Sequence, residues 1–356
     1  PRAVLFDGTP LLPSGVYAGP DGSIMVGRDA ERMAGLEPSR FEPYPKRRVD
    51  EHTVLLGSSE IRVVDLLAAV LERVVVEARQ AGVEPVGGTV LSCPADWGAP
   101  RRGVLLAAAA AAGLGRVDLV EEPVAAATYC EAVQQQRIPV GRSLAVFDFG
   151  GGTLDVTVVR RDPTGLRVMA VGGLDDLGGV DIDAALVGHL GQLIELRDPS
   201  TWQRLDNPNR TGELRDRRTL WTEVRAAKEM LSRATVAPIQ VPGCEQSLHL
   251  TREELERVAG PLVDRAVDET RRVLQRSGFA VTGGVDTDPA SGGLAAGGLA
   301  GIFLVGGASR MPLVASRLHA RFGVAPTVPE QPELPVAYGA LLCAGPPVTL
   351  PPTAPV

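Results

Sequence analysis

The chain has 356 residues, 44% of them hydrophobic, and a formal net charge of -7 with both signs interspersed. That length supports a sizeable core in two or three structural units. The charge supplies neither the basic footprint of a nucleic-acid binder nor a polybasic run for anionic lipid. No stretch reaches the roughly 20 apolar residues that cross a bilayer, and the start lacks a signal-peptide pattern. The expectation is therefore a cytoplasmic monomer, or the cytoplasmic part of a larger membrane-anchored protein. Cys93, Cys130, Cys244 and Cys343 stand far apart and the four histidines show no ligand spacing. Buried thiols are expected, and no metal cage.

In chain order, Val4 to Phe6, Asp7-Gly8, Pro13 to Tyr17 and Asp21-Gly22 predict short strands joined by tight turns. Val64, Leu67, Val70, Leu71, Val74, Val75 and Ala78 recur at three and four and predict one buried helical face. A buried strand from Gly88 to Ser92 follows, then a helix from Pro100 to Ala112 stopped by Gly113. A strand at Val117 to Val120 and a helix after Pro123 come next. This alternation predicts an α/β lobe with a mixed sheet over 1–142, completed by 334–344.

A second lobe, 143–333, opens with strands at 144–148, 154–160 and 166–171. Residues 182–259 read as a helical insertion broken by the loop Asp206 to Asn209. Thr251 and Glu254 form a capping-box pattern, with Pro261 a kink or break in the helix they start. The Gly-, Ala- and Asp-rich stretch 283–301 predicts a flexible loop, and 345–356 a proline-rich linker.

The densest chemistry lies in Asp148-Phe149-Gly150-Gly151-Gly152-Thr153-Leu154-Asp155. A carboxylate ends a buried strand. Three glycines then let backbone N–H groups approach a polyphosphate, Thr153 offers a hydroxyl, and Asp155 adds a second carboxylate. Strands flank this turn on both sides and the G-x-x-x-x-G-K-[ST] pattern is absent, so it is not the strand-to-helix phosphate loop. A second stretch, Ile302 to Pro312, runs through Gly306 and Gly307 into a helix start. There, phosphates or ribose could rest on the glycines while Arg310 stacks on a base.

These two stretches, with Glu121-Glu122-Pro123 between them, resemble the seventy-kilodalton heat-shock family of the actin and hexokinase superfamily. The resemblance runs from Pro1 to about Ala344, through Leu177-Gly178-Gly179-Val180-Asp181, Leu250 to Leu255 and Pro335 to Ala340. It implies a two-lobed, actin-like α/β ATPase fold with a central cleft for ATP or ADP, magnesium and potassium. It implies that Glu122 places the attacking water and that Asp148, Glu122 and Asp155 face the metal, mainly through water. Gly150 to Thr153, Gly306, Gly307, Arg310 and Glu333 would line the nucleotide.

The only two lysines among 36 basic residues fall where that family uses lysine. Lys46 resembles the lysine that meets the transferring phosphate. Lys228 resembles the one on the adenosine side, with Ser232 near the base.

Departures are equally plain. The family's early Asp-Leu-Gly-Thr-Thr phosphate loop has no counterpart in this sequence, and the segment from Arg47 to Val63 is short. Arg225 and Glu229 reverse the usual charges, and Gly98 and Ala99 replace polar residues beside the retained Pro94 and Arg102. No peptide-binding domain follows within the sequence. Three functions fit: a chaperone-type, slow ATPase acting on a client or regulatory protein; a nucleotide-sensing scaffold without turnover; and a small-molecule kinase of the same superfamily.

Overall fold

The computed structural model describes residues 3–83, 88–245, 247–279 and 298–344. Most of the expected flexible loop, 283–297, and the whole proline-rich linker, 345–356, lie outside the described residues. The chain divides into two compact units, Pro1–Val120 with Ala344–Val356, and Glu121–Cys343.

The first unit contains β1 (Val16–Ala18), β2 (Ile24–Val26), α1 (Arg28–Ala34), β3 (Phe41–Glu42), β4 (Thr53–Leu56), β5 (Ser59–Arg62), α2 (Val63–Gln80), β6 (Thr89–Cys93), α3 (Ala99–Ala111) and β7 (Val117–Glu121). Its strands form three small sheets among the described residues, β2-β1-β3, β4-β5 and β6-β7, rather than the one mixed sheet expected. Strands of two to five residues make few ladder bonds, so the tight turns between them set the arrangement.

Val4 to Phe6 forms no strand. Phe6 makes only a bridge to Thr9 around Asp7 and Gly8, both at positive φ (51° and 83°) as a two-residue hairpin turn requires. On α2 the buried face is rotated from the expected one: Leu66 is fully buried and Val74 is 37% exposed. Strand β6 is half-buried except at Cys93.

The second unit contains α4 (Glu122–Ala132), β8 (Ser143–Phe149), β9 (Leu154–Asp162), β10 (Gly165–Leu174), α5 (Gly179–Arg197), α6 (Pro199–Asp206), α7 (Thr211–Leu231), β11 (Val236–Ile239), β12 (Leu248–Thr251), α8 (Arg252–Arg276), β13 (Leu299–Val305), α9 (Pro312–Phe322) and α10 (Pro335–Ala344). Its main sheet has the order β10-β9-β8-β13. Strands β8 to β10 are antiparallel neighbours, and β13 runs parallel to β8.

Alternation sorts the side chains. Phe147, Val156 and Val158 join Leu186, Val263 and Leu304 in one core. Val146, Val159 and Phe303 join Ala126, Ala127 and Cys130 of α4 in another. Burial pushes the Cys130 thiol up to about 12, as a packing rather than reactive role requires. Helices α4 and α10 belong to this unit; at Gly339 of α10 a Cβ would meet the backbone of Ala125.

The stretch 182–259 is not purely helical. β11 and β12 pair as an antiparallel hairpin that buries Ala237, Ile239 and Leu250. The strands are only four residues long, and β11, Val-Ala-Pro-Ile, shows no apolar–polar alternation and contains a proline, so neither stands out among flanking helices. Pro261 does not break α8, which runs for 25 residues from a capping box at Thr251. β13 begins at Leu299, so the expected loop ends earlier than 301.

Candidate functional site

Every residue of β8 is buried except Asp148. Asp148 lies directly opposite Asp155 on β9, so the two carboxylates flank the Gly150–Gly152 turn as a cross-strand pair. The Gly150 N–H donates to the Thr153 carbonyl at 3.0 Å, closing the turn. The Thr153 hydroxyl donates to Asp155 Oδ2 at 3.2 Å. Like charges facing each other repel, and such a pair is stable chiefly when cations or donors lie close.

The turn is clamped from behind by the first residues of α5. Gly179 N–H donates to the Gly150 carbonyl at 3.0 Å and Val180 N–H to that of Gly151 at 2.8 Å. Gly178 precedes the helix, and a Cβ there would stand 2.5 Å from the Gly152 carbonyl carbon, so only glycine permits this approach. The Asp181 carboxylate accepts from the Gly178 N–H at 2.7 Å and fixes the helix start. The sequence motif contained Gly178 without assigning it this role.

The second motif arrives on β13, whose Val305 is in register with Asp148. Gly306 follows with φ 84°, and a Cβ there would lie 2.5 Å from Asp148 Oδ1. The two glycine motifs therefore meet at one end of one sheet, as neighbouring strands β8 and β13. A 3-10 turn, Gly307–Arg310, leads to Pro312 at the first position of α9. Arg310 forms a two-pronged ion pair with Glu333, 2.7 and 2.8 Å, which raises the guanidinium pKa and fixes its plane.

The other predicted residues lie on other elements. Glu122 is the first residue of α4, ahead of Pro123, and half-buried. Ser232 caps the C-terminal end of α7. Arg225 and Glu229 pair with each other at 3.2 Å, so their reversal keeps an ion pair. Lys228 is only 7% exposed; its ammonium ion-pairs Asp183 at 2.7 Å and donates to the Gly179 carbonyl at 2.8 Å. It points into the unit rather than presenting an exposed cation, and Asp183, its partner, was not singled out from the sequence. Lys46 belongs to the first unit, on an exposed 3-10 turn, Pro45–Arg48.

Among the described residues no group of three or more His, Cys, Asp or Glu could hold a metal ion. Two carboxylates and a hydroxyl are nevertheless a hard oxygen set that fits magnesium, which takes one or two protein carboxylates and completes its shell with water and phosphate. No described helix is long and apolar enough to cross a membrane.

Mixed α/β units and a glycine turn bracketed by acids define a class of phosphate-handling fold, and the comparisons place the chain within it. Residues 46–347 match the family described as Hsp70 protein. The chain belongs to the Hsp70 family and corresponds to its nucleotide-binding domain, with that family's actin-like α/β fold. It is 31% identical to a Chaperone protein HscA homolog of Bordetella petrii, over 95% of this chain and 53% of the relative. Against Chaperone protein DnaK of Cenarchaeum symbiosum identity is 29%, over 95% and 49%. Against Chaperone protein HscA of Cronobacter sakazakii it is 33%, over 79% and 39%. The chain spans about half the length of the curated relatives it matches.

Proposed function

We propose that the chain binds ATP at the strand ends of its second unit and hydrolyses it slowly to ADP and phosphate, as the nucleotide-binding part of a cytoplasmic chaperone-type protein. The observation that carries this reading is the meeting of Asp148, Asp155 and Gly306 around one clamped glycine turn. With the Gly150 N–H committed to the Thr153 carbonyl, the backbone of Gly151 and Gly152 at the tip of the turn would receive phosphate oxygens, and Thr153 would orient the terminal one. Gly306 and Gly307 leave room for the rest of the nucleotide, while Glu333 holds the Arg310 plane for stacking on the base, with Ser232 alongside.

Glu122 would orient the attacking water, and Lys46 would offset charge on the phosphate being transferred. Asp148, Asp155 and Glu122 would hold magnesium or potassium, mainly through water, and the bound cation would supply counter-charge to the phosphates. The relatives are chaperone proteins by name, which supports a client or regulatory protein as the recipient of the output.

Calorimetry with ADP or ATP and magnesium tests the binding, and phosphate release tests the turnover. Binding that falls at least about tenfold in Asp148→Asn, and release that disappears in Glu122→Ala while binding persists, are the expected results. Absence of any nucleotide uptake by the unmodified chain overturns the proposal. A sensor without turnover is the second reading, and binding with no phosphate release would establish it.

A further inference from the structure

Helices α5 and α7 bury a charged pair among apolar side chains. Ile182, Leu186, Val224, Ala227 and Leu231 are buried in one core cluster, and Asp183 and Lys228 lie on the same two helices at 4% and 7% exposure. An ammonium and a carboxylate so placed add little or nothing to stability over apolar side chains of similar volume, so packing alone does not call for them. What the pair has is direction. Lys228 Nζ stands 2.7 Å from Asp183 Oδ1 and donates to the Gly179 carbonyl at 2.8 Å. The ammonium is thus held against the first residue of α5 by a carboxylate one turn further along that helix.

Gly179 is where the parts of the second unit's site meet. Its N–H donates to the Gly150 carbonyl at 3.0 Å, and the next N–H, of Val180, donates to the Gly151 carbonyl at 2.8 Å. A Cβ on Gly179 would stand 3.2 Å from Lys228 Nζ, 3.6 Å from the Gly151 carbonyl oxygen and 3.7 Å from the Ala308 side chain of the second glycine motif. Any shift of the first turn of α5 therefore stretches one of these bonds or closes one of these contacts.

We infer that Asp183 is a positioning residue for the phosphate-binding turn: through Lys228 it fixes the Gly179 carbonyl, and through Gly179 and Val180 the carbonyls of Gly150 and Gly151. This rests on the proposed binding of phosphate at that turn. The Gly150 carbonyl shares a peptide plane with the Gly151 N–H, and the Gly151 carbonyl with the Gly152 N–H. In trans peptides the two bonds lie antiparallel, so fixing those carbonyls against α5 also fixes the directions of both N–H bonds. Dipoles held in place beforehand need no reorganisation when an anion arrives.

The test compares the unmodified chain with Asp183→Asn and with the double variant Asp183→Leu with Lys228→Met. Asparagine keeps the shape of the acid and releases the ammonium. The double variant removes the tether and fills the same space with apolar side chains. Amide hydrogen exchange is measured without nucleotide, and ADP affinity by calorimetry with magnesium. Both variants are expected to exchange the Gly179 and Val180 amides at least about tenfold faster. In the double variant the Leu186 and Leu190 amides and the urea midpoint should stay close to those of the unmodified chain. ADP should bind about three- to thirtyfold more weakly to both.

Asp183→Asn binding ADP as tightly as the unmodified chain, or more tightly, overturns the inference, because an ammonium released toward a nucleotide would strengthen binding. A stable double variant with unchanged ADP affinity also overturns it, leaving the pair a packing role only. If the unmodified chain takes up no nucleotide, the ATPase proposal and the positioning role fall together, while faster exchange at Gly179 and Val180 still reports the tether. If nucleotide binds and that exchange is indifferent to both variants, the positioning role falls alone.

Discussion

Lys228 and Asp183 form a buried ion pair, 2.7 Å from ammonium to carboxylate, on α7 and α5. The same ammonium holds the Gly179 carbonyl, and Gly179 N–H holds the carbonyl of Gly150. A continuous chain of contacts thus runs from the middle of the second unit to the back of the glycine turn. Burial pushes the Asp183 carboxyl up and the neighbouring Lys228 opposes that shift, so removing the lysine leaves the acid poorly compensated.

Lys228→Met should therefore destabilise the second unit by about 3–5 kcal/mol, because it strands a buried carboxylate. Without the lysine, the Asp183 pKa in the folded chain stands further above its unfolded value. The neutral acid is then favoured below the unfolded value, and the ionised acid costs stability as pH rises through the folded one. The loss should thus be largest at neutral pH and shrink in acid. The double variant Lys228→Met with Asp183→Leu should recover most of the stability. Urea unfolding of the single and double variants measures this. Full stability of Lys228→Met with weakened ADP binding would instead mark Lys228 as a nucleotide contact.

Gly178 and Gly151 separate the clamp from the cradle. A Cβ at Gly178 would collide with the Gly152 backbone, whereas one at Gly151 meets nothing within 4 Å. Gly178→Ala should cost about 1–3 kcal/mol of stability by overpacking and also weaken nucleotide binding. Gly151→Ala should leave stability within about 1 kcal/mol yet still weaken binding, since its methyl intrudes only on the space proposed for phosphate. Thermal unfolding and calorimetry on both variants check the contrast. Unchanged ADP affinity in Gly151→Ala would count against phosphate on this turn.

The start of α8 supplies a pH-dependent element. Glu254 accepts from the Thr251 N–H at 2.8 Å, and the Thr251 hydroxyl accepts from the Glu254 N–H at 3.1 Å. The backbone bond from Thr251 is the largest cause holding the Glu254 carboxyl below its ordinary value of 4.5. A depressed folded pKa means the stabilisation is present above about 4.5 and lost as pH falls through the folded value. Glu254→Ala should cost about 1 kcal/mol at neutral pH, read as roughly fivefold faster amide exchange in the first turn of α8. The difference from the unmodified chain should fade in acid; a pH-independent difference would show that the charge plays no part.

Local signals made much of this molecule legible. Asp148, Gly150 to Thr153 and Asp155 stand together in the sequence, and a strand, turn and strand put them together in space. The Thr251 and Glu254 box and the strand leading to Gly306 are likewise short-range patterns, governed by backbone geometry within a few residues. The hairpin β11-β12 is hidden because its strands are four residues long and β11 contains a proline and no alternation, and α8 passes through Pro261 because packing against the core outweighs one lost hydrogen bond.

What the order of residues determined by itself was the identity of the two glycine motifs and the acids beside them. Only the tertiary structure decided that β13 lies next to β8, that Gly178 backs the turn, and that Lys228 faces inward to Asp183. Those relations join residues 27 to 158 positions apart in the case of Gly178 to Gly151 and Gly306 to Asp148. No local propensity specifies such pairings; they follow from which apolar faces can be buried together once the whole sheet is assembled.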